Sequence, residues 1–275
     1  GGGGGNAPVR IDVEIGSLLE GSLDQVMKMS RSEVRSEWEF TLGGEVASDG
    51  DKFAGEWFGL VMNRVCDANY GLWRNEARGG EGMCLHIDPW SGTLHPDHLS
   101  YFHFMGRLMG KALLEDHQVA YHMTPHIYKC LVGADFTMDD VEVLDPRYFR
   151  TMQQLDQVPD FDTLCLNFTT TEEVPFGGGT REVELVAGGA DIMVTERNLS
   201  EYKEALKNYL LIGRVKEQLR IFLLGVDDAI PLAYLSVFKA HEMEVLMCGS
   251  LGESHLGEKA AAAAAAAGFS LRGKA

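Results

Sequence analysis

Residues 99–114 constrain the fold more than any other stretch of the chain. Leu99, Tyr101, Phe102, Phe104, Met105, Leu108, Met109, Ala112 and Leu113 put apolar side chains nearly all the way round a helix. A helix that is apolar on every side is buried on every side, so the rest of the chain must wrap it. Asp97 is placed to cap its start. Gly106 and Gly110 lie one turn apart and clear a strip along which a neighbour can come close. Arg107 and Lys111 interrupt the apolar run, which points to packing inside a water-soluble core. No apolar run reaches the roughly 18–20 residues that span a bilayer, and no membrane span or signal peptide is expected.

The wrapping elements are legible in the same way. Leu19, Leu23, Val26 and Met27 recur at helical spacing, and Trp57, Phe58, Val61 and Met62 mark a second helix over 53–65. Trp38, Phe40 and Leu42 alternate as a strand, as do Met83, Leu85 and Ile87 before the Asp88-Pro89 turn. Thr124-Pro125 and Asp145-Pro146 each read as a capping side chain followed by proline at the first helical position. Alternation of Leu164, Leu166 and Phe168 predicts a half-buried strand. Phe176-Gly177-Gly178-Gly179 is a turn, and short strands over 182–186 and 191–194 suggest a hairpin about Gly188-Gly189. Asn198 with Glu201 predicts a capping box on one long helix over 199–224, bent near Gly213 and closed by Gly225. Two short helices, 232–238 and 241–247, end the pattern.

The expected fold class is therefore α+β, mostly helical: a large helical subdomain with an inserted small α/β subdomain. Residues 1–8 read as a flexible leader. Residues 250–275, with the alanine run at 260–267, read as a low-complexity tail outside the fold.

Composition removes several function classes. Forty-one acidic against 24 basic side chains give a formal charge of −17 over 275 residues. Such a surface repels phosphate backbones, so nucleic acid is not an expected partner, whereas a basic protein face would be attracted. The five cysteines, Cys66, Cys84, Cys130, Cys165 and Cys248, are scattered without a CxxC pair. That is neither a disulfide framework nor a zinc pattern and fits a reducing compartment, cytoplasmic or nuclear. Each cysteine reads as a small buried hydrophobe; Cys165 falls within the expected strand. His117, His122 and His126 are broken across elements and lack an acidic companion, so no metal is expected. Asp49-Gly50-Asp51 fails as a calcium loop because Phe53 and Leu60 stand where oxygen ligands belong. No phosphate loop or nucleophile elbow is present, and no cofactor is expected.

Several segments in fixed order resemble one family. Trp38-Glu39-Phe40 with Gly44-Glu45, Asp49 and Glu56-Trp57-Phe58 comes first, then Tyr70-Gly71-Leu72-Trp73 and Ile87-Asp88-Pro89-Trp90-Ser91-Gly92. His98-Leu99-Ser100-Tyr101-Phe102, Gly106-Arg107-Leu108-Met109-Gly110-Lys111-Ala112, Val194-Thr195-Glu196-Arg197-Asn198 and Glu244-Val245-Leu246-Met247-Cys248-Gly249 follow. Together, over residues 9–249, they resemble the N-terminal lobe of a HECT-type ubiquitin ligase. The family's glycine pair is Asp51-Lys52 here, and its arginine before Glu56 is Gly55.

The resemblance implies a ubiquitin-protein transferase whose N-lobe docks a ubiquitin-conjugating enzyme, while a C-lobe carries the acceptor cysteine in a Thr-Cys-Phe context. That tripeptide does not occur in this chain, and Cys248-Gly249 resembles the hinge to that lobe, so this chain by itself is expected to be inactive. The implied partners are the conjugating enzyme, ubiquitin, and protein substrates reached through regions not present. The implied docking residues are Tyr148, Met152 and Leu155 on one helix face, Leu164 and Leu166 on one strand face, and Tyr202 and Leu206 one turn apart, within a small subdomain of about 146–206. Phe149 and Phe168 are assigned to the core. An alternative reading is a non-catalytic module that binds or sequesters the conjugating enzyme.

Overall fold

The computed structural model describes residues 8–77, 83–119, 121–158 and 161–249; the expected leader, apart from Pro8, and the expected tail lie outside them. The chain opens with β1 (Val9–Val13), α1 (Leu18–Lys28), α2 (Arg31–Arg35), β2 (Trp38–Leu42) and β3 (Glu45–Val46). β1 runs parallel to β2, with Ile11 opposite Phe40, and β3 returns antiparallel along β2. Next come α3 (Gly50–Val65) and the antiparallel pair β4 (Trp73–Ala77) and β5 (Met83–Ile87), followed by α4 (Ser91–Leu94) and α5 (His98–Leu114). The middle holds α6 (Pro125–Val132), α7 (Met138–Leu144), α8 (Pro146–Leu155), β6 (Thr169–Glu173) and β7 (Thr180–Glu184). The chain finishes with α9 (Leu199–Leu211), α10 (Lys216–Ala229), α11 (Leu232–Leu235) and α12 (Ala240–Cys248). The fold is α+β and mostly helical.

α5 is the axis of the larger of two hydrophobic cores. Eleven of its 17 residues are buried, on all sides. Its closest neighbour is α10. A Cβ added at Gly106 would lie 2.0 Å from the Phe222 carbonyl oxygen, and one at Gly225 would lie 2.2 Å from that of His103. The two helix backbones therefore touch, which only glycine permits. Gly225 does not close a helix as the sequence suggested; it sits inside α10, facing Gly106.

The two cations of α5 are as buried as the apolar residues around them. Arg107 donates from Nη1 to the Val26 and Met29 carbonyls (2.8 and 2.9 Å) and from Nε to Asp228 Oδ2 (2.8 Å). His103 and Arg31 also reach Asp228, each at 2.8 Å. Burial pushes the Asp228 carboxyl upward, but hydrogen bonds from His103 and Arg107, with the Arg107 charge, outweigh it and hold the group below the usual carboxylate range. Lys111 pairs with Glu115 at 2.7 Å and lies over the Trp38 ring, 4.8 Å from its centroid. These contacts fasten α1 and β2 onto α5, and α2 onto α10.

Several local expectations are corrected. Asp145 does cap α8, accepting from the amides of Arg147 and Tyr148, but Asp97 and Thr124 make no capping hydrogen bond. Asn198 Oδ1 accepts from the Thr195 amide at 2.7 Å instead of capping α9, so the expected capping box is absent. The expected long helix is two, because residues Gly213–Val215 form a 3-10 turn between α9 and α10. The hairpin is formed by β6 and β7, with Thr169 opposite Glu184, and the Phe176-Gly179 turn closes it. Gly189–Asp191 is a 3-10 turn, and Met193 contributes only a bridge to Asn167.

Gly106→Ala is expected to lower stability by about 2–3 kcal/mol, because backbone must move to admit the methyl group. Gly59→Ala, inside α3 with nothing within 4 Å of the added carbon, is expected to gain up to about 1 kcal/mol from reduced unfolded-state freedom. Urea unfolding of the two variants measures the contrast.

Candidate functional site

The smaller core gathers Val141 and Leu144 of α7, Met152 of α8, Phe168, Val194, and Tyr202, Leu206, Leu210 and Leu211 of α9. α8 is amphipathic because its apolar residues recur every three or four positions, and Asp145 fixes where it starts. Phe168 meets Tyr202 edge to face, with centroids 5.5 Å apart. The Tyr148 hydroxyl of α8 donates to the Thr171 carbonyl of β6 at 3.2 Å.

The seven residues assigned to docking from sequence do not share one surface. Met152, Tyr202 and Leu206 are sealed in the small core, with Met152 at 0% exposure. Burial, and then the neighbouring Tyr148, raise the Tyr202 phenol above its ordinary range. Tyr148, Leu155 and Leu166 are half-buried, and Leu164 is exposed. Nor do Leu164 and Leu166 lie on a strand. Phe161–Leu164 is a 3-10 turn, and Cys165 takes φ = +47°, which breaks the alternation. Cys165 is exposed, not buried as the alternation implied.

An apolar rim remains on this unit. The Val194 amide donates to the Leu166 carbonyl (2.7 Å), and the Phe168 amide to that of Ile192 (3.0 Å). These bonds set the segment of Leu164 and Leu166 beside Ile192 and Met193, both of which are exposed. The spacing argument overlooked Ile192 and Met193, although the apolar pair within the expected 191–194 strand was the available signal.

The remaining cysteines have quiet environments. Cys66 and Cys84 are buried. Burial pushes the Cys66 thiol far up, and burial together with Asp140 pushes Cys130 up to about 12. Cys248 ends α12 with Sγ 3.3 Å from the Tyr128 hydroxyl, and it donates to the Tyr121 carbonyl at 3.3 Å. Gly249 follows at φ = +81°.

A second feature that sequence spacing did not reveal lies between the cores. Glu172 of β6 is buried and held by Arg181 at 2.6 Å, by Arg214 at 3.3 Å and by the Tyr209 hydroxyl. Burial raises its carboxyl, but these partners prevail and hold it below the usual range. The Arg181 guanidinium lies over the Trp90 ring, 5.2 Å from the centroid, which ties the hairpin to the segment between β5 and α4. Beside this cluster opens a cavity of about 650 Å³ lined by both units.

The sequence that builds this mostly helical lobe has known relatives. The model of the HECT-domain (ubiquitin-transferase) family matches residues 59–260, more than half of the chain, and the chain belongs to that family. It is 31% identical over 247 residues to the E3 ubiquitin-protein ligase Nedd-4 of Drosophila melanogaster, covering 89% of this chain and 24% of the fly protein. It is 30% identical over 234 residues to E3 ubiquitin-protein ligase NEDD4 of Homo sapiens and of Mus musculus, covering 85% of this chain and 17% and 26% of those proteins. The chain thus spans about a quarter or less of these relatives. Among the described residues no helix is long and apolar enough to cross a membrane.

Met152→Ala is expected to cost about 2–5 kcal/mol as a cavity in the small core. Leu164→Ala, at the exposed rim, is expected to cost less than about 1 kcal/mol. Amide hydrogen exchange of α8 and α9 in the two variants separates core from surface.

Proposed function

We propose that this chain is the portion of a HECT-type ubiquitin-protein ligase that docks the ubiquitin-conjugating enzyme, with the unit of about residues 146–206 as the platform. The activity served is transfer of ubiquitin to lysines of protein substrates. The observation that carries the reading is the apolar rim of Leu164, Leu166, Ile192 and Met193, standing on a closed core in a chain of this family. Burying one such side chain contributes about 1.5–3 kcal/mol. A handful supports a micromolar contact once association costs are subtracted, which suits a carrier that must leave after discharge. The sealed residues Met152, Tyr202 and Leu206 act by holding this rim in place. The chain's charge of −17 favours a basic face on the partner and an on-rate that falls with salt.

None of the five cysteines is set up to receive ubiquitin. A transfer thiol needs exposure together with a cationic or helix-N-terminal environment that holds it as thiolate. Cys66, Cys84, Cys130 and Cys248 are buried or half-buried, and Cys165, the exposed one, follows a 3-10 turn and stands at no helix N-terminus. The chain binds the charged carrier and takes nothing from it.

Leu164→Asp and Met193→Asp are each expected to weaken binding of a conjugating enzyme tenfold or more while leaving the unfolding midpoint within error. Unchanged affinity in both, measured by titration calorimetry, would remove the rim as the docking face.

Incubation with a ubiquitin-charged conjugating enzyme is expected to give a complex without a reducible ubiquitin adduct on this chain. An adduct that disappears under thiol and in Cys165→Ser would show that the chain accepts ubiquitin itself.

A further inference from the structure

We propose that the cavity between the two cores binds a small oxyanion, a phosphate or carboxylate group, on His86, Arg74 and Arg214. His86 on β5 lines the cavity at 4% exposure, and its Nδ1 has no hydrogen-bond partner. Arg214, at the turn between α9 and α10, also lines it. Its Nε lies 3.3 Å from Glu172 but outside hydrogen-bond geometry, and is likewise unpartnered. Among the described residues the only other buried side-chain nitrogen and oxygen atoms without partners are Thr124 Oγ1 and the two ring nitrogens of His126. The His126 ring centroid is 5.5 Å from that of His86, and Thr124 precedes the helix that carries His126. Unpaired polar atoms thus concentrate in one region of the molecule. A buried donor left without an acceptor is costly, and a ligand bearing oxygen atoms removes that cost.

The character of the ligand follows from the donors left unpaired. The charged side chains that line the cavity balance, Arg74, Arg147 and Arg214 against Asp145, Glu172 and Glu173, so the ligand's character is set by the buried nitrogens of Arg214 and His86 that lack partners. Asp145 and Arg147 form a loose pair 3.6 Å apart, and Glu173 is exposed, so water screens it. Burial, and then His126, Arg214 and Arg74, keep the His86 ring neutral; in the tautomer protonated at Nδ1 it offers an N–H without bringing charge of its own. A metal cation would meet two guanidinium groups, whereas an apolar ligand would leave every orphaned atom unpaired. An oxyanion accepts from Arg214 Nε and His86 Nδ1 and pairs with the half-exposed Arg74. It would also bridge β4 and β5 of the larger core to the α9–α10 turn, so that occupancy steadies the small unit against the large one.

The test titrates the full chain with sodium phosphate, and separately with sodium acetate, at ionic strength fixed by sodium chloride. The readouts are the His86 imidazole resonances and the unfolding midpoint. A saturable shift of His86 with a raised midpoint is expected for at least one anion, and which anion saturates assigns phosphate or carboxylate chemistry. Arg74→Gln is expected to fold as the parent does and to weaken that affinity about tenfold or more, while Arg10→Gln, outside the cavity, leaves it unchanged. If His86 responds to neither anion beyond the chloride control, the cavity holds only water and the proposal fails. It fails equally if Arg74→Gln binds as well as the parent.

Discussion

The structure depends on the contact between α5 and α10. Two helix backbones can meet only where side chains are missing, and Gly106, Gly110 and Gly225 supply that absence on both sides of the seam. Dispersion between close-packed backbone atoms is individually small but summed along the whole seam. The Arg107–Asp228 pair sits at the same seam and adds direction to it. Arg107 is bonded to α1 and its C-terminal end through the Val26 and Met29 carbonyls and to α10 through Asp228. A buried ion pair stabilises little relative to apolar packing, so its value here is positional: it admits one relative placement of three elements.

From that frame the smaller core takes its position. α10 belongs to the seam, and α9, which precedes it across the Gly213–Val215 turn, belongs to the small core. The apolar rim of Leu164, Leu166, Ile192 and Met193 is thereby presented by a unit that has its own interior yet is oriented by the larger one. Glu172 and its arginines work at the same junction, joining the hairpin to the turn and, through Arg181 and Trp90, to the segment between β5 and α4.

Much of the larger core was legible because burial on all sides leaves a direct trace in composition: residues 99–114 had to be enclosed. The cations within that helix were not legible, since Arg107 finds its carboxylate 121 residues away and spacing carries no information at that range. The stripe of Tyr148, Met152 and Leu155 shows the limit more sharply. Its periodicity reports an apolar face but cannot say whether another part of the same chain already covers it. The alternation of Leu164, Leu166 and Phe168 failed for a backbone reason, the positive φ at Cys165. Gly189 misled in the opposite direction. It marks a close approach, because a Cβ there would lie 2.4 Å from the Phe168 carbonyl oxygen, and not the tip of a hairpin.

The small core is entered once, after α6, and left once, after α9. Lys207 near the exit donates to the Phe136 carbonyl near the entrance at 3.1 Å, so the two crossings are neighbours. A loop whose ends are already held together can grow at little entropic expense, since closure scales only with the logarithm of its length. The unit is therefore a cassette: its length and its outward face can change at little entropic expense while the surrounding helices keep the same register.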